Sequence, residues 1–295
     1  MSRSAERTIA EWIRETAERL EATSESPRVD AEYLVAYCVR VERRHLLARQ
    51  HESIALPALE NLVERRLRHE PIAYILGEWE FYGVSLCVDP PALVPRPETE
   101  LLFEEANFYL AAREMEHARI LDLCTGTGCI ALAFATTPMD FIITATDINP
   151  DTLRVARRNV RRHRKEEWVR LHEGDLFDAL PKHTAPFEVI VSNPPYVSEA
   201  EYETLAPDIR DYEDPHALLA GPDGLAFYRR IIAEAPAWLA PGGFLGLEIG
   251  ESQAEAVQAL MKDAGFDGIE VKKDLAGHDR VVTGMKPPII KPTVF

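Results

Sequence analysis

Along the first quarter of the chain, apolar residues recur at helical spacing. Ile9, Trp12, Ile13, Thr16 and Leu20 fall on one face with charges between them. Pro27 interrupts the pattern, and Asp30 fits the N-cap of a second helix through Ala31, Leu34, Val35 and Cys38. A short third helix is predicted over residues 43–50, and Pro57 suits the first turn of a fourth through Leu59, Leu62, Val63 and Leu67. Trp79, Phe81, Tyr82, Val84, Leu86 and Val88 then predict a β-hairpin turning near Gly83. It either forms an interdomain packing surface or roofs a site. Pro90-Pro91 and Pro95-Arg96-Pro97 make a stiff connection, and Glu98-Thr99-Glu100 opens a helix with acids where its dipole favours them.

From about residue 100, strands and helices alternate. Strands are predicted at 119–123, 141–146, 169–172, 189–192 and 244–249, with a final pair at 269–271 and 280–284. Helices are predicted at 130–135, 151–163, 224–239 and 254–264. Such alternation implies an α/β domain with a largely parallel sheet covered on both faces. The expected organisation is a helical domain over 1–75, a hairpin and Pro-rich linker over 76–99, an α/β domain over 100–285 and an extended tail over 286–295.

Composition narrows the class. Of 295 residues, 46% are apolar, enough for a full core, and no apolar run is long enough to span a bilayer. Residues 1–20 are charged throughout and lack the apolar core of a signal peptide. Cys38, Cys87, Cys124 and Cys129 form no Cys-x-x-Cys pair, so reduced thiols in a cytoplasmic protein are expected, with no zinc site and no other metal. The net charge of −16 opposes non-specific binding to nucleic acid. Twelve bases and thirteen acids precede residue 76, so most of that charge lies beyond it. The cluster Arg65-Arg66-x-Arg68 is expected on a solvated face.

The most informative stretch is Val189-Ile190-Val191-Ser192-Asn193-Pro194-Pro195-Tyr196. A strand must end at Asn-Pro-Pro, because neither proline has an N–H to give and each disfavours helix for the residue before it. Asn193 is thereby presented at a strand's C-terminal edge, where open α/β sheets put their ligands. The Asn193 side-chain oxygen and the Pro194 carbonyl are acceptors that could grip both hydrogens of one planar NH2, with Tyr196 stacking on the flat substrate. A delocalised amide nitrogen is a poor nucleophile, so orientation toward an electrophile is the useful help. The bland alternative is a proline-ended strand whose Asn caps the next turn.

Upstream, Cys124-Thr125-Gly126-Thr127-Gly128 lies at the first strand-to-helix turn. Glycines there let the backbone approach a ligand, and the helix N-terminus favours an anionic group. The pattern is neither a triphosphate loop nor a dinucleotide fingerprint. Asp147 ends the second strand and could accept two ribose hydroxyls or simply cap a helix. Asp175 ends the third, where its oxygens could take an adenine amino group with Leu176 and Phe177 packing on the ring, or it is an ordinary strand-end acid.

Assembled, these residues resemble the S-adenosylmethionine-dependent methyltransferases of the class I Rossmann-like kind. More narrowly, they are similar to the release-factor glutamine N5-methyltransferases, the HemK/PrmC family. The resemblance takes in Asp30-Ala31-Glu32-Tyr33-Leu34, Arg65-Arg66, residues 70–77, Glu80-Phe81-Tyr82-Gly83 and Pro95-Arg96-Pro97-Glu98-Thr99-Glu100. It continues through residues 122–128, Ser192-Asn193-Pro194-Pro195-Tyr196 and residues 274–282. Asn-Pro-Pro-Tyr alone is shared with adenine-N6 DNA and guanine-N2 rRNA methyltransferases; the Pro-Arg-Pro-Glu-Thr segment and the helical N-terminus narrow the choice. One departure is Cys124, where the family usually has glycine; a side chain there would crowd the cofactor if the backbone needs a positive φ.

The resemblance implies a mostly parallel seven-stranded sheet and S-adenosylmethionine as cofactor, with S-adenosylhomocysteine as product. It places Cys124 to Gly128 along the methionine and ribose, Asp147 on the ribose hydroxyls and Leu176 beside the adenine. The implied substrate is the glutamine of the Gly-Gly-Gln loop of class 1 peptide chain release factors, entering between Asn193 and Tyr196. Phe81, Arg96, Pro97, Glu98 and Thr99 are expected to wall the pocket, and the helical domain to grip the release factor outside its loop. A monomer without membrane or direct nucleic-acid contact is expected. The alternatives are glutamine methylation of a ribosomal protein, methylation of an exocyclic base amine, and a non-catalytic binding module.

Overall fold

The computed structural model describes residues 6–288, which divide into two compact units: the residues through Glu78 with Ala206–Tyr212, and Trp79–Leu205 with the residues from Glu213 onward. The helical unit begins with α1 (Ile9–Leu20), started by a reciprocal Thr8–Glu11 capping box. Helix α2 (Pro27–Val39) begins four residues earlier than expected, with Pro27 in its first turn and Ser26 at the N-cap. Asp30 is therefore inside the first turn, where its Oδ2 accepts from Ser24 and from Arg66 Nε at 2.7 Å. Helix α3 (Leu59–Leu67) carries that arginine inward. Arg66 is 6% exposed, and Arg65 pairs with Glu70. The expected solvated cluster is thus partly an internal ion-pair frame. A short helix at Leu46–Arg49 lies within the predicted third segment, and α4 (Ile72–Leu76) forms at the end of the expected helical region, where no individual helix was placed.

The hairpin is present as β1 (Glu78–Phe81) and β2 (Val84–Cys87). Tyr82 and Gly83 both take positive φ, 46° and 74°, which matches the right-handed strand twist that two-residue hairpins need. Helix α5 (Thr99–Ala112) follows the proline segment.

The α/β unit is built on β3 (His117–Leu123), β4 (Asp140–Asp147), β5 (Val169–Glu173), β6 (Phe187–Ser192), β7 (Leu239–Glu248), β8 (Asp267–Lys273) and β9 (Asp279–Met285). These form one seven-stranded sheet in the order β8-β9-β7-β6-β3-β4-β5, parallel except that β9 is antiparallel to both neighbours. Helices α6 (Cys129–Thr136), α7 (Pro150–Arg162), α8 (Ala226–Trp238) and α9 (Ala254–Asp263) complete the α/β alternation. Strand β7 starts five residues before the expected position because Leu239 already pairs with Phe187 ahead of the Pro241-Gly242-Gly243 turn. The chain runs outward from β3 through β4 and β5, then returns to lay β6 on the other side of β3. That reversal opens a crevice beyond the strand C-termini. Of the expected tail, Lys286 extends the pairing of β9 with β7, exchanging backbone bonds with Gly242 and Gly243, while 289–295 lie outside the described residues. Among the described residues no helix is long and apolar enough to cross a membrane.

Candidate active site

A cleft of about 940 Å³, its open mouth included, lies over the ends of β3, β4, β5 and β6. After β3, the turn Cys124 to Gly128 bends back sharply. Thr125 N–H donates to Thr146 O at 2.9 Å, and Gly126 N–H donates to Asp147 Oδ2 at 3.0 Å. Asp147 Oδ1 accepts from Asn149 N–H at 2.9 Å, while Asn149 itself caps α7. The cap is thus two residues beyond Asp147, which leaves the acid facing the cleft. Burial raises the Asp147 pKa, opposed by these N–H bonds.

Cys124 does take a positive φ, 58°. It lines the cleft and packs against the core below, and burial pushes its thiol pKa well up, as it pushes that of Cys129, also in the lining, to about 12. Neither is a thiolate at neutral pH, so neither is poised as a nucleophile.

Beyond β6, Ser192 Oγ donates to Leu123 O at 2.9 Å and ties the two central strand ends together. Asn193 lines the cleft and donates Nδ2–H to Thr99 Oγ1 at 3.2 Å, so its Oδ1 is the atom left for a ligand. Both prolines are buried; Pro195 lines the cleft and Pro194 is not among its lining residues. The Tyr196 ring packs on the core, its carbonyl accepts from Gln253 Nε2 at 2.9 Å, and burial raises its pKa to about 12. A Cβ added at Gly224 would stand 2.4 Å from that carbonyl, so only glycine fits against this corner.

Of the other expected residues, Thr125, Gly126, Thr127, Asp175, Leu176, Arg96 and Thr99 line the cleft. Gly128, Phe177, Phe81, Pro97, Glu98 and Tyr196 are not among its lining residues. Phe177 stacks on Trp238 at 5.9 Å inside the core, because Leu176 at φ 49° turns the chain away after β5. The placement of Phe81 in the pocket wall is likewise corrected: strand alternation buries it in the core. Asp175 Oδ2 accepts from Arg230 at 2.8 Å, so its carboxylate is partly committed to an exposed ion pair.

The chain matches the PrmC N-terminal domain over residues 11–77 and the methyltransferase small domain over residues 100–208. It is 38% identical over 281 residues to a release factor glutamine methyltransferase of Geobacter sulfurreducens, covering 94% of this chain and 95% of that one. It is 41% identical over 276 residues to another from Yersinia pestis, covering 92% and 97%. The chain belongs to the release factor glutamine methyltransferases. The fold is shared with a methyltransferase from Pyrococcus furiosus at a TM-score of 0.52 and 21% identity, over 77% of this chain and 99% of that one.

Several residues of this family member's site escaped the sequence reading. Asp122, wholly buried on β3, accepts from Thr125 Oγ1 at 2.5 Å and Ala131 N–H at 3.2 Å; burial raises its pKa to about 7. Glu248 ends β7 at 1% exposure and is raised to about 7 for the same reason. Arg96 is gripped by Glu213 through both carboxylate oxygens, at 2.8 and 2.7 Å. Asp214 and His216 line the cleft, and Asp214 accepts from Asn149 Nδ2 at 3.1 Å. Strand-end position marks Glu248, and its place inside an apolar run marks Asp122. The Glu213-Asp214-x-His216 loop carries no local signal, since only the fold brings it to the cleft.

Proposed function

We propose that the protein transfers the methyl group of S-adenosylmethionine to the side-chain amide nitrogen of the Gly-Gly-Gln glutamine in class 1 peptide chain release factors. The observation that carries this reading is Asn193. Its amide N–H is committed to Thr99 at the cleft wall, which leaves an acceptor oxygen for an incoming N–H.

The residues around the cleft fit the cofactor. Asp147, Asp175 and Asp214 line it, as a ligand carrying a sulfonium and an ammonium requires. Thr146 Oγ1, buried and without a partner among the described residues, offers an unused polar atom in the same wall. Asp147 would hold the ribose hydroxyls, Cys124 to Gly128 the methionine and ribose side, and Leu176 the adenine. Bound S-adenosylmethionine supplies an electrophilic methyl group. The chain's own residues then act by position: Asn193 Oδ1 and the Pro194 carbonyl accept the two amide hydrogens and aim the nitrogen. Tyr196 holds the corner rigid through Gln253. A fixed orientation replaces the search for a reactive geometry and is the largest help available to a weak nucleophile. The helical unit is assigned to the release factor outside its loop.

Parallel incubation of enzyme and labelled cofactor with a purified release factor, rRNA and DNA tests the substrate class. Label is expected in the release factor alone; label in either nucleic acid with none in the release factor would contradict the assignment.

A further inference from the structure

We propose that the outward face of α7 is a docking surface for the phosphate backbone of duplex RNA, separate from the methylation site. The stretch from Arg154 to Arg170 holds eight bases and two acids, Glu166 and Glu167, in a chain whose net charge is −16. The acidic balance opposes nucleic-acid contact over most of the surface, and this stretch is a local reversal of it.

Helical geometry gathers the charge. Arg154, Arg157, Arg158, Arg161 and Arg162 recur at helical spacing and share one face of α7. Leu153, Ala156 and Val160 take the opposite face and are buried. Arg157 is half-buried and the other four arginines are exposed. Arg164 and Lys165 prolong the row past the helix end, where Lys165 Nζ lies 5.0 Å from the centre of the Trp168 ring. The helix dipole favours cations only in the last turn, so it accounts for Arg161 and Arg162 but not for Arg154 to Arg158.

Pairing sets this face apart. The chain has 49 acids, and arginines such as Arg28, Arg49 and Arg229 each hold a carboxylate, those of Glu32, Glu52 and Asp223. On α7, Arg154 is held by Asp151 and Arg158 by Asp89, and Arg162 donates to Ser85 Oγ at 3.1 Å. Arg157, Arg161 and Arg164 have no ion-pair partner among the described residues. Each keeps a planar fork of donors that fits two phosphate oxygens at once. From Arg154 to Arg161 the helix rises about 10 Å, a length over which a duplex presents about six phosphates.

The surroundings choose the partner. A bilayer surface would need apolar side chains beside the cations, and Leu153, Val155, Ala156 and Val160 are all turned into the core. A single strand would need rings on which bases stack, and the ring in this stretch, Trp168, is half-buried beside Lys165. A duplex backbone needs neither. RNA is its source because release factors work on the ribosome, a surface rich in duplex RNA; that choice rests on the function proposed above, whereas the basic row does not. Helix α7 starts at the cleft, where Thr152 lines the wall, and runs back toward the strand N-termini, since β5 follows it in parallel with β4. None of its arginines is among the cleft's lining residues, so a docked duplex leaves the site open.

The test measures binding of the full-length enzyme to a fluorescein-labelled RNA duplex of about 16 base pairs by anisotropy. A Kd of about 10 μM is expected at ~50 mM salt. Arg157→Gln, Arg161→Gln and Arg164→Gln together should weaken it about tenfold or more and reduce the slope of log K against log salt by about two to three. In that triple variant kcat and KM on a purified release factor should stay within about twofold of wild type, which also shows that it is folded. Arg28→Gln, Arg49→Gln and Arg229→Gln together remove the same charge and should leave the RNA Kd within about twofold. Wild-type enzyme should co-sediment with purified ribosomes, and the first triple variant should not. The proposal is overturned by no duplex binding at ~50 mM salt, by an equal loss in the second triple variant, or by ribosomes that pellet without the wild-type enzyme. Tighter binding to phosphatidylserine vesicles than to the duplex overturns it as well. Patch-dependent RNA binding by an enzyme that methylates no release factor would support the docking surface and count against the function proposed above.

Discussion

Asn193 is where single atoms matter most. Replacing it by alanine removes the acceptor without touching the turn or the acids of the cofactor cleft. Methylation of a release factor should fall on the order of a hundredfold, the scale of lost positioning. Cofactor affinity by calorimetry should be nearly unchanged, and a proportional loss of both would count against the role. The residue was legible in the sequence because two prolines dictate its backbone; Thr99 as its partner was not, since ninety-four positions separate them. Cys124 is the second such position. A non-glycine at φ 58° carries strain on the order of 1–3 kcal/mol, and its thiol recovers part of that by packing on the core. Cys124→Gly should leave Tm nearly unchanged, whereas Cys124→Val, β-branched at the same φ, should lower stability by about 2 kcal/mol in denaturant melts. Equal behaviour of the two variants would show that the backbone there is not what limits the side chain.

At the scale of elements, the helix–turn junctions around the cleft are locked by single polar side chains. Asn159 on α7 is the clearest case. Wholly buried, it accepts from Cys87 N–H at 2.6 Å and donates to Cys87 O and Thr127 O, both at 2.9 Å. It fastens the end of β2 to the glycine turn that begins the cofactor side. Asn159→Ala would take a partner from one buried and two part-buried backbone groups and should cost on the order of 3 kcal/mol, read as a shifted denaturation midpoint at unchanged m-value. A loss below about 1 kcal/mol would mean the hairpin holds without it. Nothing local marked Asn159, which sits on the inward face of an otherwise ordinary amphipathic helix. The β–α alternation and the hairpin turn, by contrast, follow from residues adjacent in sequence, and there expectation and structure coincide to within a few positions. The displaced start of α2 has the same origin: Pro27 both interrupts one helix and opens the next, and only the second role prevails.

For the molecule as a whole, charge couples stability to pH in an uncommon direction. Asp122 and Glu248 titrate at about 7, held up by burial, whereas in an unfolded chain each would titrate near ~4. Between those values the folded form binds more protons, so this contribution is full below about pH 4, falls as the pH rises to about 7, and is flat above. The net charge of −16 adds self-repulsion with the same sign. Tm should therefore rise as the pH is lowered from about 8 to about 5.5, and Asp122→Asn should flatten the rise; a Tm that falls over that window would show that other groups dominate. The class of fold was open to reading from the sequence because repeated strands and helices admit few arrangements. Asp214, which faces the cleft from the loop at 213–216, was hidden until the chain closed on itself. Methyl transfer to a glutamine amide at the corner formed by residues 193–196 is the chemistry on which the rest depends. Tandem mass spectrometry of the release-factor loop peptide, after incubation with enzyme and S-adenosylmethionine, tests it most directly. One added methyl group on the side-chain nitrogen of the Gly-Gly-Gln glutamine is predicted; an unmodified glutamine, or a methyl group on another residue, would contradict it.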